Sequence, residues 1–179
     1  DDPIVYPACS KDMNFEPEVA VVMGRIAKNV TVENAMDYVL GFTCVNDVTL
    51  RDLQGIDPTW TRAKGFDTSC PLGPWIVMRD DLDWKDAKIS FTLNGEDVPM
   101  ASGTTANLIH GIPEQIAAIS SFSTLLPGDV IMTGTPNASG RDNTGIRRRS
   151  SASRAFASSF SSVFAPRPGR CRTAWSPAA

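Results

Sequence analysis

The sequence predicts an α+β fold that is mostly β. Three observations carry this expectation. Short runs rich in β-branched and apolar residues, each closed by turn-forming residues, recur from residue 18 to residue 133. One segment, 112–122, carries a helical period, with Ile112, Ile116 and Ile119 on one face. Asn94-Gly95 stands between two strand-like stretches as a type I′ hairpin signal.

The elements follow in chain order. Residues 18–24 read as a β-branched strand closed by Gly24. Thr31 is placed to cap a short helix over about residues 32–40, with Gly41 at its C-terminal end. Residues 42–48 read as the next strand, and a polar or helical turn runs through Arg51-Asp52. Pro71-Leu72-Gly73-Pro74 leads into a strand over 74–78, and residues 88–93 alternate up to the hairpin. After the 112–122 helix, Leu126-Pro127-Gly128-Asp129 turns the chain into a last strand, Val130-Ile131-Met132-Thr133. The chain shows no internal repeat.

Length and composition fit one domain with a tail. The 179 residues are 42% hydrophobic and 21% charged, a balance that can bury a core. The sequence has no membrane-spanning apolar run and no signal-peptide pattern at Asp1-Asp2-Pro3. Cys9, Cys44, Cys70 and Cys171 form no CxxC pair, which argues against structural zinc and for reduced thiols in the cytoplasm. The net charge of -3 divides unevenly. Residues 141–179 hold eight Arg, no Lys and Asp142 as their only acid, so they carry +7, and residues 1–140 carry -10.

Residues 1–140 are therefore expected to form the folded domain, and 141–179 a basic Ser/Arg/Ala/Pro-rich tail. Phe156, Phe160 and Phe164 have the spacing of a short amphipathic helix, while the tail's composition favours disorder. The tail's texture is also that of an alternative reading frame of GC-rich DNA, so residues from about 143 onward are expected to come from a frameshift or a sequence error. Resequencing the gene and weighing the intact protein tests this. Nucleic-acid binding through the tail is disfavoured, because the Arg-rich run 147–154 carries no aromatic stacking platform and such runs are usually solvated.

The chemistry concentrates in carboxylates. Glu16 and Glu18 flank Pro17 at the start of the first strand, so period two turns both side chains to one face. Pro17 has no N–H, which places this stretch at an edge or at the beginning of a strand. Two adjacent carboxylates repel unless a cation compensates, and an all-oxygen set suits Mg²⁺, Mn²⁺ or Ca²⁺. On this pair alone, a metal site and two solvated surface glutamates both account for the pattern.

A wider set of motifs separates these readings. Phe15-Glu16-Pro17-Glu18-Val19-Ala20-Val21-Val22-Met23-Gly24 is followed by Asn46-Asp47-Val48-Thr49-Leu50-Arg51-Asp52-Leu53-Gln54. Next come Lys64-Gly65-Phe66-Asp67-Thr68, Pro71-Leu72-Gly73-Pro74-Trp75, Asn94-Gly95-Glu96 and the run from Leu126 to Pro136 that ends in Thr133-Gly134-Thr135-Pro136. In this order the blocks resemble the C-terminal catalytic domain of the fumarylacetoacetate hydrolase family, over about residues 4–140.

The resemblance implies a β-roll or partly open barrel packed by a few helices, and usually a homodimer. It implies Glu16, Glu18 and Asp47 as ligands of a divalent metal, Mg²⁺ or else Mn²⁺ or Ca²⁺. It also implies Arg51, Gln54, Lys64 and Thr135 as substrate-facing groups, with Lys64 catalytic. Arg51 has a second reading, as the ion-pair partner of Asp47 or Asp52. Gln54 can equally make a loop hydrogen bond and Thr135 a turn cap, and Asp52 and Asp67 read as supporting or turn residues.

The implied activity is C–C hydrolysis, isomerisation or decarboxylation of a small dicarboxylic oxo acid through a metal-bound enolate. Its substrates would be acylpyruvates, oxaloacetate or the hydroxymuconate-type dioates of aromatic catabolism. Hydrolytic members carry a water-activating His-Glu pair upstream of the metal strand. The residues before Glu16 hold no such pair, and the one histidine, His110, reads as structural. The alternative expectation is thus an inactive fragment or degenerate homologue that keeps the metal.

Overall fold

A computed structural model describes residues 3–93 and 95–136. The basic tail, its Phe156–Phe160–Phe164 pattern and the region assigned to a frameshift lie outside the described residues.

The strands are β1 (Met13–Asn14), β2 (Pro17–Met23), β3 (Val39–Asn46), β4 (Thr49–Leu50), β5 (Leu72–Met78), β6 (Lys88–Ile89), β7 (Thr92–Leu93), β8 (Glu96–Asp97), β9 (Gly103–Thr104) and β10 (Val130–Met132). The α-helices are α1 (Arg51–Gln54), α2 (Thr61–Lys64) and α3 (Ile112–Phe122). The expected α+β, mostly β class holds, and the described strands close no barrel. They form one four-stranded antiparallel sheet, in the order β10-β2-β3-β5, and three two-stranded ladders.

One face of the sheet builds the core. Val19, Val21 and Met23 of β2, Phe42 and Cys44 of β3, and Ile131 of β10 pack with Ile112 and Ile116 of α3. Side chains buried to this degree each contribute about 1.5–3 kcal/mol relative to exposure. Pro17 begins β2, so its missing N–H costs no ladder bond within the strand. The expected hairpin pairing of β7 with β8 is present: Thr92 faces Asp97, Leu93 faces Glu96, and Gly95 takes a φ of +85°.

The expected helix over 32–40 does not form. The Thr31 N–H donates to Asn34 Oδ1, the Asn34 N–H donates to Thr31 O, and a single 3₁₀ turn covers Ala35–Tyr38. β3 then begins at Val39, because the stretch pairs with both β2 and β5 and buries Val39 and Phe42. Gly41 is therefore no helix cap. It sits inside the sheet, where a Cβ would lie 2.2 Å from Val77 O.

The opposite side of the sheet carries a groove of about 330 Å³ lined by Val22, Leu40, Leu72, Trp75, Ile76 and Val130, among others. Leu40, Leu72, Trp75, Ile76 and Val130 are all exposed. No helix among the described residues is long and apolar enough to cross a membrane.

Candidate metal centre

Two chain corners meet at one end of the sheet. β1 pairs with β4 (Met13 opposite Leu50, Asn14 opposite Thr49), which folds the segment after β3 back onto the segment before β2. Glu16 precedes β2 and Asp47 follows β3, so the two residues face across this junction. The Asp47 N–H donates to Glu16 O at 2.9 Å, and the Glu16 N–H donates to Asn46 Oδ1 at 2.8 Å. Thr49 Oγ1 donates to Asp47 O, fixing the second corner. Glu18 lies two residues on in β2, opposite Val45. Period two thus brings Glu16 and Glu18 to one place, and strand pairing adds Asp47.

The residues are 7%, 4% and 9% exposed in the order Glu16, Glu18, Asp47. One carboxylate oxygen from each lies within 4.8 Å of the others. Each of the two one-turn helices delivers a cation to them. Arg51, the first residue of α1, donates to Glu16 Oε1 and also to Gln54 Oε1 at 2.7 Å. Lys64, the last residue of α2, donates to Glu16 Oε2 at 2.7 Å and to Asp47 Oδ2. Glu18 makes no ion pair among the described residues. Its Oε2 accepts the Gly134 N–H at 2.7 Å, and Gly134 has a φ of +100°.

Burial pushes the Glu18 carboxyl up to about 7; the Gly134 N–H pulls it back, and the charges of Asp47 and Glu16 add to the rise. Burial also raises Asp47, against the opposing pull of Lys64. For Lys64, burial works downward, but its hydrogen bonds to Asp47 and Glu16 prevail and hold it above the ordinary lysine value.

Three acids against two bases leave the cluster formally at -1, and one buried carboxylate has no cationic partner among the described residues. A set of hard oxygen donors with residual negative charge fits Mg²⁺, Mn²⁺ or Ca²⁺, and it offers no nitrogen or sulfur that would select zinc or copper.

Glu16, Glu18, Asp47, Arg51, Gln54 and Lys64, all expected at the site from the sequence, come together in one connected cluster. Thr135 is half-buried next to Gly134. Arg51 pairs with Glu16, not with Asp47 or Asp52. Asp52 instead accepts from Ser10 Oγ and the Lys11 N–H and ties the N-terminal segment to α1. His110 is exposed, and its carbonyl accepts from Gln115. Sequence reasoning missed Gly134 and Asn46, whose backbone N–H and side-chain oxygen position Glu18 and Glu16. The glycine between Thr133 and Thr135 was the available signal for the first.

A family model described as Fumarylacetoacetate (FAA) hydrolase C-terminal matches residues 1–163. The chain belongs to the fumarylacetoacetate hydrolase family. An uncharacterized protein of Methanocaldococcus jannaschii is 43% identical over 145 residues, which are 81% of this chain and 60% of that protein. The human mitochondrial oxaloacetate tautomerase is 42% identical over 138 residues, 75% of this chain and 43% of the relative. The crystal structure of a 5-carboxymethyl-2-hydroxymuconate delta-isomerase from Mycobacterium smegmatis superimposes with a TM-score of 0.71 at 45% identity, covering 75% of this chain and 52% of that one. The chain spans about half the length of the curated relatives it matches.

The raised Glu18 gives a pH dependence of defined sign. Between its ordinary value of 4.5 and about 7, the folded chain holds a proton that the unfolded chain has released. Stability without added metal therefore falls as pH rises through that window. A metal ligated by Glu18 would need the carboxylate, so Mg²⁺ affinity is expected to fall roughly tenfold per pH unit below about 7. Thermal melts and calorimetric titrations from about pH 5 to 8 check both slopes. An Mg²⁺ affinity that is flat across this range would exclude Glu18 as a ligand.

Proposed function

We propose that this chain is the catalytic domain of a divalent-metal-dependent enzyme acting on a small dicarboxylic oxo acid. The preferred metal is Mg²⁺, with Mn²⁺ or Ca²⁺ as alternatives. The favoured reaction is a proton relocation, keto–enol tautomerisation or double-bond isomerisation; decarboxylation and C–C hydrolysis are the other members of the same class. The observation that carries this reading is the convergence of Glu16, Glu18 and Asp47 with Arg51 and Lys64 in one half-enclosed cluster. Relatives whose names state a tautomerase and an isomerase support the proton-relocation branch.

When bound, the cation supplies Lewis acidity toward the oxygens of the oxo acid. The chain's own groups do the rest. The Arg51 guanidinium, oriented by Glu16 and Gln54, offers its remaining N–H groups to a substrate carboxylate. The Lys64 ammonium supplies positive charge where negative charge develops on the oxo-acid oxygen, and it can hold the proton being moved. Thr135, the residue after the glycine that anchors Glu18, is assigned to contact with the substrate or its carboxylate.

A turnover screen of oxaloacetate, acylpyruvates and hydroxymuconate-type dioates with added Mg²⁺ tests the reading. Conversion of at least one class, abolished by a chelator and restored by Mg²⁺, is the expected result. Mg²⁺ binding without conversion of any of them would favour an inactive homologue that retains the metal.

The outer apolar groove supports a homodimer. Exposed, contiguous apolar surface of this kind marks interaction sites, and a second copy can cover Trp75 and Ile76 on both partners. Trp75→Glu is expected to convert a dimer into a monomer in sedimentation velocity, and an unchanged sedimentation coefficient would place the interface elsewhere.

A further inference from the structure

Lys64 occupies an unusual place for a substrate-facing group. Its Nζ is bonded to two of the three carboxylates assigned to the metal, to Glu16 at 2.7 Å and to Asp47. A divalent ion held by the same three residues needs the same oxygens. Glu16 has little freedom to serve both cations, because Arg51 holds its other oxygen. Its backbone is pinned by Asn46, and the Asp47 backbone is pinned by Glu16 and Thr49. Lys64 is the movable member: it ends a single helical turn, and its side chain is 25% exposed.

We propose that Lys64 is a built-in competitor of the metal ion: its ammonium and the divalent cation exchange on Glu16 and Asp47, and metal binding releases Lys64 to face the substrate. This rests on the metal-dependent reading above and adds a regulatory property to the same site. Lys64 keeps buried carboxylates compensated when metal is scarce, at the expense of metal affinity. The charge balance gives the exchange a direction. With Lys64 and Arg51 the cluster is formally -1, which repels a dianionic oxo acid; with a divalent ion added it becomes +1, which attracts one. Metal therefore binds first and the dianion second, and by reciprocity the dianion tightens the metal.

Calorimetric titration of Mg²⁺ into the wild-type protein, Lys64→Met and Lys64→Arg tests the exchange. Lys64→Met is expected to bind Mg²⁺ about tenfold tighter or more, because a unit charge competing at contact distance is gone. It is also expected to melt roughly 5–10 °C lower without metal, and to regain more on Mg²⁺ addition than wild type does. Lys64→Arg keeps the competing charge and is expected to bind Mg²⁺ as the wild type does.

A second measurement needs no variant. Acetic anhydride labelling of the wild type, read by mass spectrometry, is expected to show Lys64 acylated faster when Mg²⁺ is present. Equal or weaker Mg²⁺ binding by Lys64→Met, or unchanged or slower Lys64 labelling, would overturn the exchange. Failure of the wild type to bind Mg²⁺ at all would instead overturn the metal-dependent reading on which it rests.

Discussion

Replacing Glu18 by alanine is expected to lower Mg²⁺ affinity at least about 100-fold and turnover by roughly 1000-fold or more, while leaving the fold intact. Removing a ligand outright exceeds the effect of disturbing a residue that merely supports one. The fold survives because Glu18 contributes a cost, not a gain, when metal is absent. It is 4% exposed, burial raises its carboxyl to about 7, and no ion pair compensates it among the described residues. Glu18→Ala is thus expected to melt at or above the wild-type temperature at about pH 8 without Mg²⁺, and to lose most of the stabilisation that Mg²⁺ confers. Glu18→Gln separates charge from shape, since it keeps the size and one acceptor for Gly134 but supplies no carboxylate. Undiminished Mg²⁺ affinity in both variants would remove Glu18 from the ligand set.

The second large effect concerns the sheet that carries the site. Gly41→Ala is expected to destabilise the domain by about 3 kcal/mol, the upper end of ordinary overpacking costs. The added Cβ would meet Val77 O at 2.2 Å and Ile76 Cγ2 at 2.8 Å. A side-chain methyl can move aside cheaply, but a strand carbonyl cannot, so β3 and β5 must separate. Urea unfolding monitored by circular dichroism checks this, and a midpoint within error of the wild type would mean that the two strands have room to spare. Mg²⁺ affinity at the candidate metal centre is expected to weaken with it, because β3 leads directly into Asp47.

The same glycine shows where sequence reasoning stops. Thr31, a short apolar-polar mixture and Gly41 have the local grammar of a capped helix, yet two neighbouring strands claim Val39–Asn46 and local preference yields to pairing. Elements whose signal is local came out as expected: the hairpin pairing of β7 and β8, the helix at Ile112–Phe122 and the strand bearing Glu18. The site divides in the same way. Glu16 and Glu18 can be paired from their spacing, because two residues of strand return a side chain to the same face. Asp47 lies too far along the chain for spacing to place it, and only the ordered motifs joined it to the pair. The contact between Arg51 and Glu16 spans 35 positions and that between Lys64 and Glu16 spans 48. Periodicity holds no information at that range, so the sequence identified these cations as substrate-facing but could not pair them with their carboxylates. Gly134 was missed because its contribution is a backbone N–H, which no side-chain chemistry announces.

The uneven support of the cluster has a consequence for how it fluctuates. Glu18 stands in β2, which is flanked by β3 along its whole length and by β10 over residues 20–22. Arg51 and Lys64 stand on helices of four residues each, with residues 55–60 connecting them and Ile56 and Trp60 in solvent. In native-state hydrogen exchange, amides around Glu18 would open only with the whole domain, and those of residues 51–65 through cheaper partial excursions. The acidic half of the cluster then behaves as a stiff anvil, and Lys64 as a hinged jaw that can swing clear and return without unfolding the sheet.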